Sequence, residues 1–326
     1  MSAFTRFVLG SGTRLGLPIL TYPGAALIGV TVRDMVSRPQ VQADAQAALH
    51  RRHPSPFALC AMDLSAEAEA FGCEILLTDT EVPTVVSRLV TNRASAEALP
   101  VPIPGAARTR VYLETAGLLK RLPDKQFVFA GMVGPFSLAA RLYGVSEALS
   151  LTVEDPALMH LLCRKSTEFL RSYALAFKAA GASGVIVAEP TAGLLSPRAL
   201  AEYSSAYVKE IVTAVDDDQF SLILHNCAAK LVHLPSVLTS GASVYHFGAP
   251  MDLPAALKQV PPEVILCGNL DPAKVFVNST PAEVSDAARS LLEATRAHPN
   301  YVLSSGCDVP PGTSPENIDA FYRALA

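Results

Sequence analysis

Eight short apolar runs, each stopped by a polar, glycine or proline cluster, constrain what this chain can fold into more than any other feature of it. They are LPILTYPG from Leu17, FALCAMD from Phe57, FVFAGMVGP from Phe127, GVIVAEP from Gly184, SLILHNC from Ser221, SVYHFGA from Ser243, VILCGNLD from Val264 and YVLSSGCD from Tyr301. A strand with one wet face alternates apolar and polar residues; these runs do not, so each is expected to be buried on both faces, as in a parallel sheet covered by helices. Segments of helical periodicity lie between them, at 152–181, 196–215, 228–241 and 280–298. Ser196 before Pro197 and Thr280 before Pro281 mark helix starts, and Gly181 and Gly241 mark helix ends.

Eight strand and helix units predict an α/β fold closed into a (β/α)8 TIM barrel, with one domain spanning residues 1–326. Residues before Leu17 form an N-terminal extension, and the hairpin-like stretch GCEILLTDTEVPTVVSRLV (72–90) interrupts the alternation as an insertion after the second run. In such a barrel the loops after the strands form the catalytic face. The polar groups ending the runs, among them Tyr22, Asp63, Met132, Glu189, His225, Cys227, His246, Asn269, Asp271, Cys307 and Asp308, are therefore expected at one mouth.

Composition narrows the partners. Charged residues make up 17% of the chain, and 26 basic against 30 acidic side chains leave a net charge of −4, with no basic field suited to nucleic acid. The start has no apolar stretch of the signal-peptide kind, and no long charge-free apolar run follows, so neither secretion nor membrane insertion is expected and the protein reads as cytoplasmic. The six cysteines are scattered without CxxC spacing, which suits reduced thiols.

Reduced thiols can be ligands. On a strand, residues i and i+2 share a face, so His225 and Cys227 would both point into the mouth, roughly 6–7 Å apart along the backbone. Cys307 ends the last run in SSGCDVPPG and supplies a third donor from the far end of the chain. One imidazole and two thiolates form a soft set that selects zinc and leaves a position open. The alternative is a core histidine beside a buried thiol, since buried cysteine commonly packs as a small hydrophobe. Cys60, Cys163 and Cys267 read as core, and His160 and His233 as helix packing.

GASGVIVAEPTAGLLSP (181–197), ILHNC, VILCGNLDP and VLSSGCDVPPGTSPENIDAF resemble the uroporphyrinogen decarboxylase superfamily, in particular its corrinoid-dependent methyltransferase branch. The resemblance runs from LPILTYPG onward and implies zinc held by His225, Cys227 and Cys307. It also implies a methylcorrinoid (cobalamin) donor on a separate carrier protein, and a small acceptor, either a thiol such as coenzyme M or a non-thiol such as tetrahydrofolate. The decarboxylases of the superfamily hold substrate carboxylates with an arginine-rich N-terminal segment. Here that region reads ILTYPGAALIGVTVRD, and Arg33 is its single arginine. Many relatives carry an acidic residue as an additional ligand where this chain has Gly248, with Asp252 further on. Glu189, Asn269 and Asp271 are expected to orient substrate or to hold His225. Asp271 equally suits a helix cap. Tyr22, Met132 and His246 are expected at the cofactor pocket, and water, His246 or substrate at the open metal position.

Overall fold

The backbone groups of an apolar run buried on both faces must find partners in neighbouring strands. In the computed structural model, which describes residues 1–123 and 126–325, seven of the eight runs do so. They are β1 (Phe57–Leu59), β4 (Phe127–Val133), β5 (Gly184–Ala188), β6 (Ser221–Asn226), β7 (Val244–Phe247), β8 (Ile265–Leu270) and β9 (Tyr301–Ser305), paired in parallel in that order. β2 (Ile75–Leu76) and β3 (Thr84–Val85) pair antiparallel within the 72–90 insertion.

The first run behaves differently from the other seven. It follows β9 through one parallel bridge, Gly16 to Leu303. Leu17 N–H donates to the Leu303 carbonyl at 2.9 Å, and Leu303 N–H to the Leu15 carbonyl at 3.0 Å. The ladder then stops, and Pro18 has no N–H to offer on the opposite edge of the segment. Ile19 N–H turns instead to the Ser305 hydroxyl at 3.0 Å. Among the described residues the parallel sheet therefore has seven regular strands, with this extended segment as an irregular one beside β9.

Side-chain alternation sorts the strands into two apolar layers. Phe57 and Leu59, Phe127 and Phe129, Ile186 and Ala188, Ile223, Val244, Ile265 and Cys267, and Val302 fill the barrel interior. Their neighbours, such as Val185, Val187, Leu222, Leu224, Tyr245 and Leu303, pack outward against the helices. The N-terminal extension forms a helix, Ala3–Gly10, whose Phe4 lies edge-on to Phe57, Phe127 and Phe129 at 5.8, 5.4 and 5.0 Å between ring centroids. It packs into the same interior as those strand residues. Edge-to-face rings of this kind are worth about 0.5–1.5 kcal/mol per pair beyond the area they bury.

The helical segment expected at 152–181 divides in two. Pro156 disfavours helix at the residue before it, so one helix ends at Glu154 and the next, Pro156–Ala179, starts with the Asp155 carboxylate accepting from Leu158 N–H at 3.1 Å. Among the described residues no helix is long and apolar enough to cross a membrane.

Candidate metal centre

His225 stands two residues beyond Ile223 on β6 and so shares its inward face. Cys227 follows the strand directly. Its loop is fixed by Asn226, whose side-chain oxygen accepts from Ala228 N–H at 3.3 Å and Ala229 N–H at 3.0 Å. Cys307 lies just past β9. β6 and β9 are separated by β7 and β8 in the sheet order, and the curvature of the wall brings their ends together. A ring nitrogen of His225 and the two sulfurs lie within 4.8 Å of one another, the one such group of metal-binding side chains among the described residues. Tetrahedral zinc with bonds of 2.0–2.3 Å would hold such donors about 3.6–3.8 Å apart, so small side-chain movements suffice.

The hydrogen bonds behind His225 settle which nitrogen faces the sulfurs. The Ser304 hydroxyl donates to the Leu17 carbonyl at 2.5 Å, so its oxygen accepts from His246 Nε2–H at 2.7 Å. His246 is then left with a lone pair on Nδ1, which accepts from His225 Nδ1–H at 2.8 Å. Burial, and then the neighbouring His225, hold the His246 pKa well below its usual value, which keeps it neutral in this role. His225 Nε2 consequently presents a lone pair, and it is buried without a hydrogen-bond partner. An orphaned buried acceptor next to two cysteines is costly unless a ligand fills the gap, and a zinc ion fits this donor set. Replacing His246 by phenylalanine should weaken zinc affinity about 10- to 100-fold, as loss of a ligand's hydrogen-bond partner usually does. Competition against a chromogenic chelator reads the change, and unaltered affinity would contradict this assignment.

The two cysteines are unequal. A hydrogen bond from Cys307 lowers the Cys227 pKa to about 7, whereas the same bond and burial push Cys307 up to about 12. Metal-free protein should therefore be alkylated by iodoacetamide at Cys227 first, with a rate that rises through pH 7 as the thiolate forms, and zinc should protect it. Peptide mapping that finds Cys307 modified ahead of Cys227 would refute this ordering.

A cavity of about 210 Å³ opens in front of the three donors, lined also by Ile19, Met62, Leu64, Arg141, Pro190 and Asp308, with Val82 and Pro83 contributed by the insertion. Asp308 is fixed by the Thr21 hydroxyl, which donates to both carboxylate oxygens at 3.0 and 2.9 Å. Burial and the adjacent Cys307 raise its pKa well above the ordinary carboxylate value.

Several residues expected at the mouth do not line this cavity. The buried Glu189 carboxylate accepts from Phe136 N–H at 3.0 Å, Ser137 N–H at 2.9 Å and the Ser204 hydroxyl at 3.1 Å, and so caps the helix Pro135–Tyr143. Asn269 donates to the carbonyls of Gly248 and Met251 at 2.9 and 2.6 Å, bracing the loop after β7. Asp271 accepts from Lys274 N–H at 2.8 Å and caps the short helix Pro272–Val277. Met132 points outward, since Phe127 and Phe129 take the inward positions of β4. Tyr22 is buried at the start of the helix Pro23–Leu27 in the outer layer. His246 stands behind His225 and does not line the cavity. Asp63 pairs with Arg108.

The family resemblance implies an acidic residue where this chain has Gly248, and the surroundings of Gly248 leave no room for a side chain. A Cβ at Gly248 would collide with the Cys227 carbonyl group and approach Cys227 Cα to 2.7 Å. The backbone that carries Cys227 occupies the space a fourth side-chain ligand would need.

Fold and centre together define a parallel α/β barrel with a histidine and two cysteines at the C-terminal ends of its strands. The uroporphyrinogen decarboxylase (URO-D) family model matches residues 19–326, so the chain belongs to that family. The methylcobamide:CoM methyltransferase MtbA of Methanosarcina acetivorans is 30% identical over 263 residues, 78% of this chain and 75% of that protein, which places the chain with the family's methyltransferases. A methylated-thiol–coenzyme M methyltransferase of Methanosarcina mazei is 25% identical over 80% of this chain and 70% of its own length. The uroporphyrinogen decarboxylase of Thioalkalivibrio sulfidiphilus is 26% identical over 88% and 84%. A methyltransferase of known structure from Methanosarcina mazei, 21% identical, superposes with a TM-score of 0.88 over 99% of this chain and 96% of its own, which supports the fold.

Proposed function

We propose that this chain is a cytoplasmic zinc-dependent methyltransferase, working as one catalytic domain over residues 1–326, that moves a methyl group from a methylated corrinoid to a small thiol. The observation that carries the reading is the unpartnered His225 Nε2 beside Cys227 and Cys307 at the wall of an open cavity. Zinc held by these three residues would make a bound acceptor thiol a thiolate at neutral pH. His246 and Ser304 keep the His225 lone pair aimed at the centre. Met62, Leu64, Val82 and Pro83 give the cavity apolar walls that limit water around the sulfur.

In the transfer the acceptor sulfur, its proton already lost to solvent, attacks the methyl carbon in line. An S–C bond forms while the Co–C bond breaks, and its electron pair stays on cobalt as Co(I). The cavity is too small for a whole corrinoid as well as the acceptor, so the donor would approach from the mouth, where a corrinoid carrier protein would present it.

Two observations weigh against decarboxylation of a polycarboxylate. Arg33, the one arginine of the segment 19–34, is exposed and paired with Asp79 at 2.9 Å. Among the described residues Arg141 is the one arginine lining the cavity, whereas many carboxylates need several such partners.

The test is an anaerobic incubation of zinc-loaded protein with methylcobalamin and a panel of small thiols. The spectrum of methylcobalamin should give way to that of Co(I) or its oxidised product, with one S-methyl thioether formed per cobalamin consumed. Methyl transfer to tetrahydrofolate and to no thiol would favour the non-thiol acceptor. No change of the corrinoid with any acceptor would reject the reading.

A further inference from the structure

A second cavity, of about 550 Å³, lies at the other end of the barrel. Its walls come from residues 14–16 and 52–57, which precede the first run and enter β1, and from the C-terminal helix Pro315–Arg323. It shares no lining residue with the cavity at the metal centre. It opens where β1 ends the parallel sheet and the irregular first segment takes over.

Charge marks this cavity. Three guanidiniums, Arg14, Arg52 and Arg323, line it with a single carboxylate, Asp319. Asp319 is already taken, since Arg52 donates to both of its oxygens at 2.8 Å. Arg14 is anchored on neutral groups, the carbonyls of Thr295, Arg296 and His298 at 3.1, 2.6 and 2.8 Å. Those bonds hold the guanidinium in place, and its charge is offset only in part, by the end of the helix Pro281–Ala294. Among the described residues no carboxylate lies within ion-pair distance of Arg14 or Arg323.

The fourth polar group is His53. Its side chain is 4% exposed and lies flat on Tyr322, with ring centroids 4.6 Å apart and planes within 10°. Its Nε2 stands 3.3 Å from Asp319 Oδ1, yet it is buried without a hydrogen-bond partner, and that oxygen accepts from Arg52 instead. Burial holds the His53 pKa below its usual value, so the ring adds no charge of its own at neutral pH. Three cations against one anion leave the wall in excess by two positive charges. A concave wall of one sign focuses the field in front of it, and planar guanidinium forks match the oxygens of a phosphate or a carboxylate.

We propose that this cavity is a second binding site, for a small dianion such as a phosphate ester or a dicarboxylate, held between Arg14 and Arg323 with His53 Nε2 beside it. Leu15, Pro54 and Pro56 give the same cavity apolar surface for the rest of such a molecule. The occupant would tie together the N-terminal extension, the segment entering β1 and the C-terminal helix.

Calorimetry on the zinc-loaded full chain tests it with inorganic phosphate, glycerol 3-phosphate and succinate, at neutral pH and an ionic strength fixed with chloride. At least one of them should bind, one per chain, and the order of the phosphates against succinate identifies the anion. Arg323→Gln should weaken that binding about 10- to 100-fold, the loss expected for one charge-assisted contact, and Arg323→Lys should retain part of it. Arg323 is exposed, so both variants should fold as wild type does, which circular dichroism checks. Arg33→Gln makes the same change of charge at an exposed site outside the cavity, and Arg141→Gln makes it in the cavity at the metal centre. Each should bind the anion as wild type does.

No binding of any of the three anions would overturn the proposal. So would binding that Arg323→Gln leaves unchanged, or that Arg33→Gln weakens equally, the mark of diffuse attraction. Binding abolished by Arg141→Gln would place the anion at the metal centre and reject this site as well.

Discussion

Cys307→Ala should release the metal. With one nitrogen and one sulfur left, zinc affinity is expected to fall by more than the ~100-fold typical of losing a hydrogen-bond partner behind a ligand, and methyl transfer to a thiol should disappear with it. The protein itself should stay folded: Cys307 lies in the loop beyond β9, and the adjoining chain is held by Val309 N–H on the Ile19 carbonyl at 2.9 Å and by Thr21 on Asp308. Circular dichroism together with metal analysis separates the two effects. A Cys307→Ala protein that keeps stoichiometric zinc would mean that Cys307 is not a ligand.

The second large effect is on stability. Asp63 is fully buried and gathers hydrogen bonds from Arg108, from Ser65 N–H at 3.0 Å and Ser65 Oγ at 2.5 Å, and from the Tyr112 hydroxyl at 2.6 Å. Replacing it by alanine strands the Arg108 guanidinium, whose side chain is only 10% exposed, with Glu69 at 2.7 Å as its remaining counter-charge. Removing one partner of a buried ion pair costs about 3–5 kcal/mol, because the surviving charge has lost its compensation without regaining water. The Arg33–Asp79 pair is the control: its side chains are 52% and 64% exposed, and a pair that open is worth about 1 kcal/mol or less. Urea denaturation of Asp63→Ala and Asp79→Ala should therefore give very different midpoints. Equal midpoints would show that the Asp63 network does not anchor the wall behind the mouth.

The barrel was legible because its strands are buried on both faces and end in recognisable punctuation, as SLILHNC and VILCGNLD do. His225 could be placed because the parity of a strand puts i and i+2 on one face whatever the rest of the fold does. The same parity was silent for β4. FVFAGMV is apolar throughout, so nothing in it says that Phe127 and Phe129 face inward and Met132 outward.

Glu189 and Asn269 end their runs as expected, yet the mouth is not where their side chains go. Free helix and loop backbone groups from segments distant in sequence claim them first, Phe136 and Ser137 for Glu189, Gly248 and Met251 for Asn269. Those partnerships leave no local signature. Arg141, which lines the cavity, could not be placed there from the sequence: an arginine in the last turn of an amphipathic helix looks like a solvated one until the cavity beside it is seen. The shortfall at the first strand is partly written in Pro18, which has no N–H to offer on the edge of the segment away from β9.

The central claim is that the acceptor sulfur joins His225, Cys227 and Cys307 on one zinc ion. X-ray absorption at the zinc edge tests it most directly, on the zinc-loaded protein before and after a small thiol is added. One nitrogen, two sulfurs and a light-atom ligand should become one nitrogen and three sulfurs, with the added sulfur at about 2.3 Å. A coordination shell that starts with other donors, or that keeps two sulfurs at saturating thiol, would contradict the account.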